Sequence, residues 1–208
     1  MDDMTDPKTV VFDLGKVLVD FDYGIAARRI AACGAMTLQQ IAQYINQSPL
    51  FAQYESGAII TQQFYAEIRR VTGFRGDLAE FSQCFADIFF PIEPMIHLQT
   101  ALRRRGLKTY AFSNTNELAI DHIRRNFPFY GNFEGYILSY QHGVMKPDPR
   151  LYEVVERESR RRGPEILYLD DRPENIAAGA ARGWHVILHE SPEKSRTAIQ
   201  QLGLLNHS

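Results

Sequence analysis

Cysteine is scarce in this chain. Cys33 and Cys84 are the only two among 208 residues. They lack metal-ligand spacing and are too few for a disulfide scaffold, so both are expected as reduced, buried thiols of a cytoplasmic protein. Long apolar runs are also missing. None approaches the ~20 residues of a membrane span, and the acidic, polar start from Met1 to Lys8 is the opposite of a secretion signal. No membrane partner is therefore expected. Charge of one sign is lacking too. Lys and Arg number 23 against 25 Asp and Glu, a formal net charge of -2, which leaves no global field to draw nucleic acid. The basic triplets Arg103 to Arg105 and Arg160 to Arg162 each stand ahead of a glycine, Gly106 and Gly163. They read as solvated helix ends with a glycine stop, not as a nucleic-acid patch. Repeats, low-complexity tracts and disordered linkers beyond the first few residues are absent.

What the chain has is a sizeable apolar content, 45%, enough for one domain with an insertion or two small ones. Its organisation starts at Thr9 to Asp22. Val10, Val11 and Phe12 form a short β-branched run, as in a strand buried on both faces. The run ends at Asp13, and Gly15 is expected to free the backbone for a sharp turn. Asp20 and Asp22 are expected in solvent. From Tyr23 to Phe90 the spacing is helical throughout, with Thr61 able to cap the helix that carries Phe64, Ile68 and Val71. Four further strands follow, at Lys108 to Phe112, Gly135 to Ser139, Glu165 to Leu169 and Trp184 to His189, with helices between them. Regular alternation predicts an α/β fold, a doubly wound parallel sheet flanked by helices. The predicted division is a core of residues 1–22 and 91–208 and a helical cap of residues 23–90.

Four strand ends carry polar groups: Asp13, Ser113, Lys146 just past the third strand, and Asp170 with Asp171. In an open α/β sheet such ends converge on one edge, where sites form. Each has a structural explanation alone, as a helix cap, a turn residue or a surface lysine. Together they suit phosphoryl transfer. Asp13 can attack phosphorus to form an acyl phosphate. Asp13, Asp171 and a backbone carbonyl near Gly15 make an all-oxygen set suited to Mg²⁺. Lys146 can neutralise phosphoryl oxygens, and Ser113 with backbone N–H groups from Asn114 onward can hold them.

These stretches resemble, in order, the motifs of the haloacid dehalogenase-like (HAD) superfamily. Phe12-Asp13-Leu14-Gly15-Lys16-Val17 is similar to motif one, with Asp13 at the nucleophile position. Phe112-Ser113-Asn114-Thr115-Asn116 is similar to motif two and Lys146-Pro147-Asp148-Pro149 to motif three. Leu169-Asp170-Asp171, with Asn175 and Gly183, is similar to motif four. The resemblance spans essentially the whole chain. It implies a Rossmann-like core with a helical cap after motif one. It also implies a Mg²⁺ site from Asp13, the Gly15 carbonyl and Asp171, with Asp170 behind them. Tyr54-Glu55-Ser56-Gly57 with Phe64 resembles cap features of a subgroup that includes bacterial glucose-1-phosphate phosphatases and the phosphatase domain of soluble epoxide hydrolase.

One departure matters. Family phosphatases carry Asp two residues after the nucleophile, as acid and then base. Gly15 has no side chain to do this, and general acid–base help is commonly worth ~10²–10⁴-fold. Asp20, Asp22 and Glu55 are the nearby carboxyls that could supply it, and a good leaving group would need it less. The expected activity is Mg²⁺-dependent hydrolysis of a small phosphomonoester such as a sugar phosphate, by a monomer or homodimer. Two alternatives stand beside it. A 2-haloacid dehalogenase needs no metal, but adjacent carboxylates beside Asp13 would repel without a cation. A non-catalytic binding protein has only Gly15 in its favour. A phosphorelay receiver would place its acidic pair before the phosphoacceptor, the reverse of the order here.

Overall fold

The computed structural model describes residues 7–205; the reading of the first few residues lies outside them. β1 (Thr9–Phe12) is central. With β4 (Lys108–Ser113), β5 (Gly135–Leu138), β6 (Ile166–Asp170) and β7 (His185–Leu188) it forms a five-stranded sheet in the order β5-β4-β1-β6-β7. Every pairing in it is parallel. Side chains alternate across the strands and both faces are covered. Val10, Phe12 and Leu169 pack with Met95, Leu98 and Leu102 of α6 (Glu93–Arg104) and Ile120 of α7 (Glu117–Asn126). Val11, Phe112 and Tyr168 face the other way, against Leu151, Tyr152 and Val155 of α9 (Pro149–Ser159). The short α8 (Ser139–His142) follows β5, and α10 (Pro173–Ala180) and α11 (Pro192–Gln201) flank β7.

Five helices separate β1 from α6: α1 (Tyr23–Ala32), α2 (Leu38–Gln47), α3 (Leu50–Glu55), α4 (Thr61–Thr72) and α5 (Leu78–Ala86). They share a core of their own, in which Phe64 stacks on Tyr54 at 4.3 Å and packs edge-on against Phe85 at 5.1 Å. This segment is not helical throughout. Phe89–Pro91 forms β3, paired antiparallel with β2 (Val19–Phe21), Asp20 opposite Phe90. The chain leaves the sheet through β2 and returns through β3, so the two connections zip together. Strands of three residues, one ending in proline, are too short to show a period of two.

Other local readings also give way. Thr61 does not cap α4. Ile60 holds the cap position, its N–H donating to Gln63 Oε1 at 3.0 Å, while the Thr61 hydroxyl lies 2.7 Å from Tyr54 Oη and donates to Glu117. α9 stops before the arginine triplet, with Arg160 itself left-handed at φ 57° and Gly163 beginning a 3₁₀ turn. Cys33 is exposed and Cys84 half-buried, so neither is a core thiol. Among the described residues no helix is long and apolar enough to cross a membrane.

Candidate active site

The register of the sheet sets the site. Phe12 lies opposite Ala111 on one side and Leu169 on the other. Asp13 therefore emerges level with Phe112 and Asp170. Its N–H extends the ladder by donating to the Leu169 carbonyl at 2.9 Å, and its Oδ1 accepts the Leu14 N–H at 2.7 Å. Lys146 reaches the same point from the loop after β5. Its Nζ donates to Asp170 Oδ2 at 2.5 Å and to the Phe112 carbonyl at 2.8 Å, and lies 3.2 Å from Asp13 Oδ1. An ammonium has three donors, and these three partners take them all. The side chains of Lys146 and Asp170 are almost wholly buried, which is tolerable only because they are paired.

Asn114 holds Lys146 in place. Its Oδ1 accepts the Lys146 N–H at 2.7 Å and its Nδ2 donates to the Lys146 carbonyl at 2.9 Å. Its side chain is thus a clamp, and only its backbone faces the role expected for it at a phosphate. Ser113 is buried, and its hydroxyl makes one long contact, 3.4 Å to the Asn114 carbonyl. It is free to take a better partner. Asp170 is fully buried and crowded with donors: Lys146, the Tyr168 hydroxyl, the Arg172 N–H at 2.8 Å and Asn175 Nδ2 at 3.0 Å. Asp171 is half-buried, and among the described residues its carboxylate accepts no hydrogen bond from another residue.

Asp13, Asp170 and Asp171 bring carboxylate oxygens within 4.8 Å of one another. One ammonium faces three carboxylates, and the imbalance appears in their protonation. Burial, opposed by Lys146 and reinforced by Asp170 and Asp171, lifts Asp13 to about 7. Burial and then Asp170 raise Asp171 as well. Burial works against ionised Asp170, but the charge and hydrogen bond of Lys146, joined by the Tyr168 hydroxyl and the Arg172 N–H, hold its pKa down. The cluster therefore offers oxygen ligands with an excess of negative charge. The Gly15 carbonyl also accepts no hydrogen bond among the described residues. This all-oxygen donor set fits a hard divalent cation and includes none of the nitrogen or sulfur ligands typical of zinc sites.

The turn after Asp13 differs from the expectation. Lys16, not Gly15, takes the left-handed conformation, at φ 59°. Gly15 sits tightly against Phe21, since a Cβ there would lie 3.0 Å from Phe21 Cε1. That ring is held edge-on by Tyr23 at 5.3 Å and Phe89 at 6.0 Å. Gly15→Asp is therefore expected to displace Phe21 and destabilise the fold by about 1–3 kcal/mol. Gly15→Asp with Phe21→Ala should recover part of the local fit. Urea denaturation of both checks this.

The structure also separates the three carboxyls near Gly15. Asp20 is exposed and paired with Lys16, and Asp22 is exposed and caps α1 at the Gly24 N–H, 2.7 Å away. Of the three, Glu55 is the one whose charge interacts with that of Asp13. Burial, followed by the charge of Asp13 and partly offset by Arg172, raises it to about 7.

Sequence reasoning missed Tyr168 and Ser139. Tyr168 sits inside an apolar strand with no motif to mark it. Ser139 directly follows β5, much as Asp13 follows β1, and that position could have identified it. Its Oγ accepts the Thr115 N–H at 2.9 Å and donates to the Glu55 carbonyl at 2.5 Å, joining the motif-two loop to the helical segment.

A family model for haloacid dehalogenase-like hydrolases matches residues 7–183. The chain belongs to this family. As a HAD-like hydrolase it is an enzyme, and solved structures share its fold. A HAD-like hydrolase from Porphyromonas gingivalis superposes with a TM-score of 0.80 at 24% identity, covering 97% of this chain and 99% of that one. A HAD family enzyme from Bacteroides thetaiotaomicron, solved with magnesium and inorganic phosphate, gives 0.76 at 24% identity, covering 87% of this chain and 93% of that one. Among characterised proteins, a D-ribitol-5-phosphate phosphatase of Bacteroides thetaiotaomicron is 24% identical over 208 residues, 97% of this chain and 99% of the relative.

Proposed function

We propose that this HAD-like hydrolase is a Mg²⁺-dependent phosphatase acting on a small phosphomonoester, with sugar and polyol phosphates as the leading class. The observation that carries it is the meeting of Asp13, Asp170 and Asp171 within 4.8 Å around one buried lysine. Such crowding calls for a cation, and so favours phosphoryl transfer over the metal-free dehalogenase. The similarity to a ribitol-phosphate phosphatase supports the substrate class.

In this reading Asp13 attacks phosphorus and the P–O bond to the leaving group breaks, forming an aspartyl phosphate. Lys146 shields the Asp13 carboxylate from the anionic substrate. The Ser113 hydroxyl and the Asn114 N–H hold phosphoryl oxygens. Asp13, the Gly15 carbonyl and Asp171 would hold Mg²⁺, with Asp170 fixing Lys146 behind them. The bound ion would neutralise phosphoryl charge. Residues 23–90 would act as the cap that selects the substrate and excludes water.

The test is phosphate release from a panel of sugar phosphates, nucleotides and small phosphorylated acids, with Mg²⁺ and with chelator. Turnover is expected on at least one sugar or polyol phosphate, only with Mg²⁺. Asp171→Ala should raise the Mg²⁺ concentration needed more than Asp170→Ala does. Equal rates with and without chelator would refute the metal and restore the dehalogenase alternative.

A further inference from the structure

Gly15 leaves the reaction without its usual proton carrier, and a Cβ at that position would press on Phe21 Cε1 at 3.0 Å. A replacement must come from another element and be held at a fixed position. Glu55 meets both conditions. It ends α3, in the segment between β2 and β3, and its backbone is tied to the catalytic edge of the sheet. Ser139 Oγ donates to its carbonyl at 2.5 Å while accepting the Thr115 N–H at 2.9 Å. On the same turn, Gly57 is left-handed at φ 73°, and a Cβ there would fall 2.1 Å from the Tyr140 carbonyl oxygen. The turn is thus pressed against the backbone of α8, with no room for a side chain at position 57. Tyr54, next to Glu55, accepts the Leu118 N–H at 3.3 Å from α7. Tyr54, Glu55 and Gly57 therefore dock on α7 and α8, the helices that follow β4 and β5.

The Glu55 side chain is half-buried, and among the described residues its carboxyl takes part in no hydrogen bond or ion pair. A carboxyl so placed has no structural partner to hold it there. It lies within electrostatic reach of Asp13 and Arg172, and Tyr23 senses its charge in turn. Asp20 and Asp22 are engaged elsewhere, in solvent.

We infer, resting on the phosphatase reading above, that Glu55 carries the proton for both halves of the reaction. In the first half its O–H protonates the leaving oxygen as Asp13 bonds to phosphorus, giving the free alcohol, the aspartyl phosphate and the Glu55 carboxylate. In the second, that carboxylate takes a proton from the water attacking phosphorus. The bond from phosphorus to Asp13 breaks, inorganic phosphate departs and Glu55 is again protonated. A carboxyl raised to about 7 by burial and by Asp13 is suited to alternate between the two forms near neutral pH.

The experiment is rapid-quench kinetics of the Mg²⁺-loaded full chain with 4-nitrophenyl phosphate and with a polyol phosphate, comparing native protein, Glu55→Gln and Asp13→Asn. The native chain should turn over both esters without a burst. Glu55→Gln should release about one equivalent of nitrophenol at once, because that leaving group needs no proton, and then turn over ~10²–10⁴-fold more slowly. With the polyol phosphate the same variant should show no burst and a similar loss. Its melting temperature should stay native, since the replaced carboxyl bonds nothing. Native rates in Glu55→Gln, or equal slowing of both esters without a nitrophenol burst, would overturn the assignment and leave the phosphatase reading intact. Native protein that releases phosphate from no ester of the wider panel faster than Asp13→Asn does would overturn both.

Discussion

Asp13→Asn is expected to abolish turnover, with a loss on the order of 10⁵–10⁶-fold, as when a covalent nucleophile is removed elsewhere. An amide lacks the anionic oxygen needed to bond phosphorus. The fold should survive. The Asn carbonyl can still accept the Leu14 N–H that Asp13 Oδ1 now takes at 2.7 Å, and it can still face Lys146. In chelator the variant should melt at or above the native temperature, because one of three crowded carboxylates has lost its charge. Calorimetry beside the activity assay therefore distinguishes a missing nucleophile from a broken fold. A variant that kept near-native rates would show that another group attacks.

Lys146→Ala should have the second largest effect, and it should act on both function and stability. Loss of a preorganised charge facing the reacting oxygens is worth ~3–4 kcal/mol of barrier, or ~10²–10³-fold in rate. Removing one partner of a buried ion pair commonly costs ~3–5 kcal/mol of stability. Asp170 would keep Tyr168, Arg172 and Asn175 as donors, so the lower end of that range is expected. Lys146→Met, which fills the volume, should recover packing and not rate. Urea denaturation and kinetics on both variants check this. Unchanged kinetics in either would place Lys146 outside the reaction.

The sheet was legible because its strands are short apolar runs bounded by glycine and polar clusters, each ending in a residue with chemistry to offer. The same logic brought Asp13, Ser113, Lys146, Asp170 and Asp171 to one edge. What escaped is tertiary. The pairing of Val19–Phe21 with Phe89–Pro91 joins segments separated by five helices, and three-residue strands carry no periodic signal. The close contact at Gly15 comes from a Phe21 ring folded back from the next strand, while the left-handed residue of the local turn is Lys16. Asp20, Asp22 and Glu55 could not be ranked in sequence, since two follow Asp13 within ten positions and are solvated, while the third is remote in the chain and has its backbone tied to Ser139. Asn114 reads as a phosphate ligand from its place beside Ser113, yet its side chain fastens Lys146, a contact across 32 positions.

The proposed reaction depends on a covalent bond between Asp13 and phosphorus. The most direct measurement is mass spectrometry of Asp13 and of released phosphate after a single turnover in ¹⁸O-labelled water, using a substrate identified from the panel with Mg²⁺ present. Water attacking the phosphorus of an aspartyl phosphate puts the label in inorganic phosphate and leaves the Asp13 carboxylate unlabelled, and an acid quench during turnover should catch the peptide containing Asp13 carrying a phosphoryl group. Label appearing in the Asp13 carboxylate would mean attack at its carbonyl carbon, as an ester intermediate requires. Phosphate labelled without any phosphoryl group trapped on that peptide, together with turnover persisting in Asp13→Asn, would contradict the nucleophile altogether.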